Sequence, residues 1–354
     1  VHVRHEEVGA FAAAAEAQVT GRLAVCAGSC GPGNTHLVNG LYDAQRSGAP
    51  VLAIASHIPS SQIGQGYFQE THPDRVFVDC SDYCELVSTA EQAPRVVHAA
   101  IRHAVQNSAV SVVSLPGDVA DLKVAADAPR LAPVRRGVTV PTVTAVEELA
   151  EELNRAERVA LFCGEGVRGA HEEVMQLADV LGAPVGHSLR GKDAIQFDNP
   201  FDVGMTGLLG YGAAAAGLHD ADLLVMLGTD FPYDQFLPGT RTVQVDTDAA
   251  VIGRRTDVDL PIQGDVRSTV AAVLPMLQRK TDRSFLERML EKHARLMDKA
   301  VGAYTHDVLD MRPIHPEYAA DLLDQHLAPD AVVTADTGMC NVWSARYVRP
   351  LGTR

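Results

Sequence analysis

Three glycines, Gly164, Gly166 and Gly169, stand in GEGVRG between a strand-like run, RVALFC, and a helical pattern, AHEEVMQLADVLG. That is the spacing of a dinucleotide-binding fingerprint, in which a helix start receives a phosphate group. An NAD site also wants an acid at the end of the next strand, about twenty residues on, to hold a ribose. Here that region, APVGHSLRGK, ends in His187, Ser188 and Arg190, which argues against the usual NAD site. A second glycine turn, Gly28 to Asn34 in GSCGPGN, suits close approach of the backbone to a ligand or a plain strand-to-helix turn. Glu6 and Glu7 open a helical pattern, where acids favour the positive end of the dipole.

Cys26 and Cys30, and Cys80 and Cys84, are spaced C-x3-C, within the range of structural zinc pairs. Cys26 and Cys163 lie in the apolar runs LAVCAGS and VALFCGEG, where a free thiol behaves as a small buried hydrophobe, and this is the better reading. Of the 14 histidines, His5, His36, His57 and His72 fall in motif regions without ligand spacing along the chain, so no metal site is expected among them.

The elements that must position these residues alternate. RLAVCAGS, PVLAIASH and SVVSLPGDV read as strands, with helices at THLVNGLYDAQRSG and PRVVHAAIRHAVQN. Short continuous apolar runs between helices indicate strands buried on both faces, hence an α/β fold with parallel sheets. Proline and charge between Lys123 and Val146 mark a linker. A second α/β section follows, through AVEELAEELNRA, RVALFC, HEEVMQLADVLG, APVGHS, DLLVMLGTDF and TVQVDTD, and then a charged helical stretch. A third opens with the helix HPEYAADLLDQHL and the strand AVVTADTG. It is expected to be incomplete, and VHVRHEE is expected to begin inside a strand whose start is missing. The 354 residues carry a formal net charge of -15, with none of the basic striping that nucleic acid requires. No apolar run reaches spanning length and no signal peptide precedes the first helix, so a cytoplasmic protein is expected.

RHEEVGAFAAAAEAQVTG, AGSCGPGN, HIPSSQIGQGYFQETHP, YCELV and SLPGDVA together resemble thiamine-diphosphate-dependent enzymes of the pyruvate oxidase group. The likeness continues through LRGKD, DNPFDVGMTGLLG, MLGTDFPYDQF, VQVDTD, IQGDVRST and TADTGMCNVWSARY. It implies consecutive α/β domains of that enzyme type. They would be a pyrimidine-binding domain over 1–130, a central FAD domain over 144–278, a helical connector over 279–312, and the start of a pyrophosphate-binding domain over 313–354. The family's G-D-G motif, which holds Mg²⁺ and the diphosphate, has no counterpart here, so the metal ligands are expected outside this chain.

By the same resemblance Glu6 bonds the pyrimidine ring of thiamine diphosphate and favours the tautomer that activates the coenzyme. Gly31 and Gly33 lie beside the coenzyme. Phe68 and Gln69 match positions near its reacting end, with core packing the alternative for Phe68. FAD is expected to meet Thr206, Gly207 and Leu208; Gly228, Thr229, Asp230, Phe231 and Pro232; and Asp246 at its adenosine end. Gly164 and Gly166 are expected to offer backbone N–H groups to its diphosphate. The implied reaction is oxidative decarboxylation of pyruvate to acetate and CO₂, with electrons passing to FAD and then to a quinone. The alternatives are an acetolactate-synthase-like enzyme with a structural FAD, and an inactive FAD-binding fragment. A homo-oligomer, at least a dimer and by family habit a tetramer, is implied, with peripheral membrane contact through a segment outside this chain.

Overall fold

The structure, a computed structural model, describes residues 1–124 and 132–352. It divides into two compact units, Val1–Gly137 and Val138–Arg354. The boundary expected at residue 130 lies outside the described residues.

In the first unit, helix α1 (Glu6–Thr20) begins where the His5 side chain accepts the Glu7 N–H, and ends at Gly21, whose φ of 66° closes the last turn. It buries Ala10, Ala13, Ala14 and Ala17, a stripe at helical spacing made only of small side chains. That stripe lets α2 (Pro32–Arg46) come very close, and Gly40 is the contact point: a Cβ there would lie 2.5 Å from the Ala10 Cβ. Strand β1 (Ala24–Gly28) leads into α2 through Gly31, at φ 70°, with Pro32 pre-set for the first helical turn. Strands β2 (Val51–His57), β3 (Tyr83–Leu86) and β4 (Val110–Pro116) complete a parallel sheet in the order β1-β2-β4-β3, with α3 (Ala93–Asn107) feeding β4.

The second unit opens with α4 (Val143–Arg155), capped by the Thr142 hydroxyl, and β5 (Val159–Cys163). Next come α5 (His171–Leu181), β6 (Val185–His187), β7 (Asp202–Met205), β8 (Tyr211–Gly212) and α6 (Ala214–Asp220). The chain then returns to the middle of the sheet for β9 (Leu223–Leu227), β10 (Arg241–Asp246) and β11 (Leu260–Gln263), followed by α7 (Val266–Val273). The order is β11-β10-β9-β5-β6-β7-β8, parallel except for β8. Successive strands move outward from β5 on one side and then from β9 on the other. The point between β5 and β9 is therefore where loops at the carboxyl edge diverge, the usual ligand position in such sheets.

Several expectations are corrected. Residues 1–5 form no strand; the valines alternate only over VHV, too short a run to pair. AVVTADTG is irregular: Val332 is exposed and the segment joins no sheet, because no neighbour among the described strands supplies hydrogen bonds to it. The stretch expected as a helical connector over 279–312 does hold a helix, α8 (Ser284–Met297), which buries Phe285, Leu286 and Met289 against the second unit's core. Strands β3, β7, β8 and β11, each of four residues or fewer, escaped the sequence reading.

After α9 (Pro316–His326), α10 (Met339–Tyr347) packs Ala345 with Met205 and Tyr211. The buried Lys192 ammonium donates to the Ser344 and Val348 carbonyls at the end of α10, where a cation suits the helix dipole. Burial holds its pKa below the ordinary lysine value.

Candidate coenzyme and nucleotide sites

Glu6 stands in the first turn of α1, and the first turn of α2 comes up beside it. Glu6 Oε2 lies 3.1 Å from His36 Nδ1, and the His36 ring stacks on His5 with centroids 4.2 Å apart. The His36 hydrogen bond holds the Glu6 carboxyl below its ordinary pKa, so the group is ionised at neutral pH. Gly33 makes room for it: a Cβ there would lie 2.9 Å from Glu6 Oε1 and 2.3 Å from Ser29 Oγ. Glu7, whose Oε1 accepts from Asn39, ties the two helices together one step away.

Gly31 has a comparable role against a different partner. Its Cβ would fall 2.7 Å from the Gln69 Cβ, and Gln69 itself takes φ 61°. The Cys30 thiol donates to Gln69 Oε1 at 3.6 Å. The loop ahead of Gln69 is fixed by Glu70, whose carboxylate accepts N–H groups from Gly64, Gly66 and Tyr67. These bonds, Gly64's foremost, lower its pKa. Phe68 at the loop's tip is 79% exposed, so core packing does not account for it. The first unit thus gathers Glu6, Gly31, Gly33 and Gln69 around one turn, with Phe68 projecting nearby. Sequence reasoning passed over His36, set aside because spacing along the chain hides a meeting between two helix starts.

In the second unit Gly164 and Gly166 follow β5, and Gly228 to Pro232 follow β9, on the two sides of the switch point. Here the expected phosphate donors are corrected. Gly164 N–H donates to Leu227 O and Gly166 N–H to Gly228 O, each at 3.0 Å, so both are already taken. The glycines are needed because the two loops touch: a Cβ on Gly166 would lie 2.6 Å from Gly228 Cα. The fingerprint does not open a helix either; residues 165–167 form a single 3₁₀ turn and α5 starts at His171. Phe231 is buried edge-on against Phe162, 5.1 Å between centroids, and packs under Gly207, whose Cβ would meet its ring at 3.0 Å. The Asp230 carboxylate is held by Arg254 at 3.0 Å and Arg255 at 3.2 Å. Leu208 and Pro232 are exposed at the same edge, and Thr229 is buried, its carbonyl accepting from Gln244.

Two observations at this edge fit a polar ligand. Thr206 is 4% exposed and its hydroxyl makes no protein hydrogen bond; Nε2 of the fully buried His187 makes none either, although Asp202 Oδ1 lies 3.7 Å from it. A buried polar atom left unpaired is costly, so a ligand atom is the natural complement. Asp246, at the carboxyl end of β10, accepts the Asp248 N–H at 3.0 Å, and burial raises its pKa above the ordinary carboxylate value. A hydrogen-bond donor from a ligand at this strand end would offset the cost of that burial for the ionised form.

Residues 1–76 match the model of the thiamine pyrophosphate enzyme N-terminal TPP binding domain, and residues 146–273 match that of the central domain. The chain belongs to the thiamine pyrophosphate enzyme family. It is 52% identical over 295 residues to the "Uncharacterized 42.6 kDa protein in isoamylase 3'region" of Pseudomonas amyloderamosa, covering 82% of this chain and 74% of that one. It is 32% identical over 361 residues to the acetolactate synthase of Mycobacterium bovis and 30% identical over 358 residues to the pyruvate oxidase of Lactiplantibacillus plantarum. Both alignments take in 99% of this chain but 58% of the relative. The two matched regions fall one in each of the mixed α/β units. Among the described residues no helix is long and apolar enough to cross a membrane.

Proposed function

We propose that the chain is the coenzyme-activating and flavin-binding part of an enzyme that oxidatively decarboxylates pyruvate to acetate and CO₂, with FAD and then a quinone as acceptors. The observation that carries the reading is the Glu6 carboxylate, ionised and held by His36 beside Gly33 at an open helix start. Bound thiamine diphosphate supplies the carbon nucleophile that 2-keto acid cleavage requires. Glu6 would take a proton at its carboxyl and hold it against the pyrimidine ring once His36 yields its hydrogen bond. Gly31 lets Gln69 pack against the turn, and Gln69 can orient a substrate carboxylate. FAD would lie along the carboxyl edge of the second sheet, with Thr206 and Asp246 as its polar contacts and Gly207 and Leu208 against its apolar parts. Gly228 would serve through shape, since Val245 and Gly166 already take its N–H and carbonyl, with Thr229 on the same loop and the Asp230 carboxylate already paired with Arg254 and Arg255. Mg²⁺ and its ligands belong to a segment outside this chain, and a dimer or tetramer would bring two coenzyme-binding domains together.

The identity to an acetolactate synthase, 32%, supports a second reading in which a second keto acid is the acceptor and FAD is structural. Anaerobic addition of pyruvate to the full protein, with coenzyme and Mg²⁺, separates the two. Bleaching of the flavin absorbance is the expected result. An unchanged spectrum accompanied by acetolactate would establish the second reading.

A further inference from the structure

Two imidazoles and a carboxylate from separate helix starts share one small space. His5, Glu6 and His36 each present a ligand atom, and these atoms all lie within 4.8 Å of one another. The His36 Nδ1 to Glu6 Oε2 separation is 3.1 Å. Two donors bound about 2.0–2.1 Å from one tetrahedral ion lie about 3.3 Å apart, so this pair needs a shift of only about 0.2 Å. The His5 ring stacks on His36 at an interplanar angle of 25°, and a rotation of its side chain is needed to turn a nitrogen lone pair toward the shared ion. Glu7 stands behind it, with Oε2 3.8 Å from His5 Nδ1, able to orient the ring once that nitrogen carries the proton. The His36 and Glu6 side chains are 42% and 30% exposed, which leaves an entry path and room for water as a further ligand.

We propose that His5, Glu6 and His36 form a site for a divalent transition-metal cation of the zinc class, whose occupancy withholds Glu6 from the coenzyme. Two nitrogens and one oxygen suit zinc, cobalt or nickel, whereas magnesium and calcium want oxygen ligands. The ion takes the place of the proton that His36 and Glu6 share, and ligation by His5 gives up the bond that its Nδ1 accepts from the Glu7 N–H. The site itself stands on geometry alone; its inhibitory effect rests on the coenzyme role proposed for Glu6.

Coenzyme-free full protein is titrated with Co²⁺, read by its visible d–d bands, and Zn²⁺ is then added in competition. Bands that Zn²⁺ abolishes and Mg²⁺ does not are expected, with affinity at least tenfold weaker in His5→Asn and in His36→Asn. Zinc-induced shifts of the His5 and His36 ring signals in the unsubstituted protein give the same answer if a variant fails to fold. Unchanged bands in both variants, unmoved ring signals, or equal competition by Mg²⁺ would overturn the site. Zinc should also raise the coenzyme concentration needed for half-saturation by tenfold or more. Zinc bound with coenzyme affinity unaltered would refute the inhibition. Loss of turnover in Glu6→Gln, measured without zinc, tests the role of Glu6 separately.

Discussion

Gly40→Ala adds one methyl group between α1 and α2, and the structure fixes what it meets. The new Cβ would lie 2.5 Å from Ala10 Cβ, 2.6 Å from Phe11 N and 2.7 Å from Ala10 C. Carbon atoms in contact sit about 3.5–4.0 Å apart, so the helices must separate by about 1 Å. Two of the three atoms belong to the α1 backbone and cannot rotate away, which puts the overpacking cost near the upper end of its usual range, about 3 kcal/mol. Alanine returns about 1 kcal/mol through helix propensity. The net loss is about 2 kcal/mol, a fall in Tm of roughly 5–10 °C for a unit of this size. The control is Gly21→Ala, where φ is 66° but nothing lies within 4 Å of the added carbon, so only backbone strain of about 1 kcal/mol applies. Thermal and denaturant unfolding of both variants decide the matter. Because Glu6 and His36 sit on the two helices being separated, Gly40→Ala should also weaken coenzyme binding, and Gly21→Ala should not. A Gly40→Ala protein as stable as the unsubstituted one, or less affected than Gly21→Ala, would refute the close-packing argument.

Glu6→Gln should keep flavin but lose turnover at least about ten- to a hundredfold, the equivalent of one charge-assisted hydrogen bond of about 1.5–3 kcal/mol, in a steady-state assay of the full protein. Asp246→Asn should release flavin about tenfold more readily on dialysis, since a charge-assisted bond is replaced by a neutral one. The same change should alter stability with pH. Burial raises the Asp246 pKa, so its ionisation opposes folding as pH rises through the carboxylate range. Asparagine keeps an acceptor for the Asp248 N–H, so the variant's Tm should exceed the parent's above that range, with the gap closing at low pH. Lys192→Met should free α10, because the Ser344 and Val348 carbonyls lose a charged donor worth about 1.5–3 kcal/mol per bond. Hydrogen exchange rising across 339–348 while β5 and β9 stay protected is the expected pattern.

The long apolar runs were legible in the sequence because burial on both faces dictates their composition whatever their neighbours. LAVCAGS, PVLAIASH, VALFC and DLLVML are all strands of parallel sheets, and the helices between them keep their periods. β3 and β11 were not legible, since each has four residues and is held mainly by a strand already in place. AVVTADTG shows the reverse: strand composition without a partner gives no strand. The glycines of GEGVRG were visible as a pattern, but their work was not. Spacing shows that Cβ atoms are missing at Gly164 and Gly166; only the fold shows that Gly228, 62 residues beyond Gly166, fills the space, and that the Leu227 and Gly228 carbonyls take the two N–H groups. Glu6 stood out through a motif, whereas His36 needed two helix starts to meet. Composition and period are local and can be read along the chain. Hydrogen-bond partners, clearances and ionisation depend on distances through space, which the tertiary structure sets.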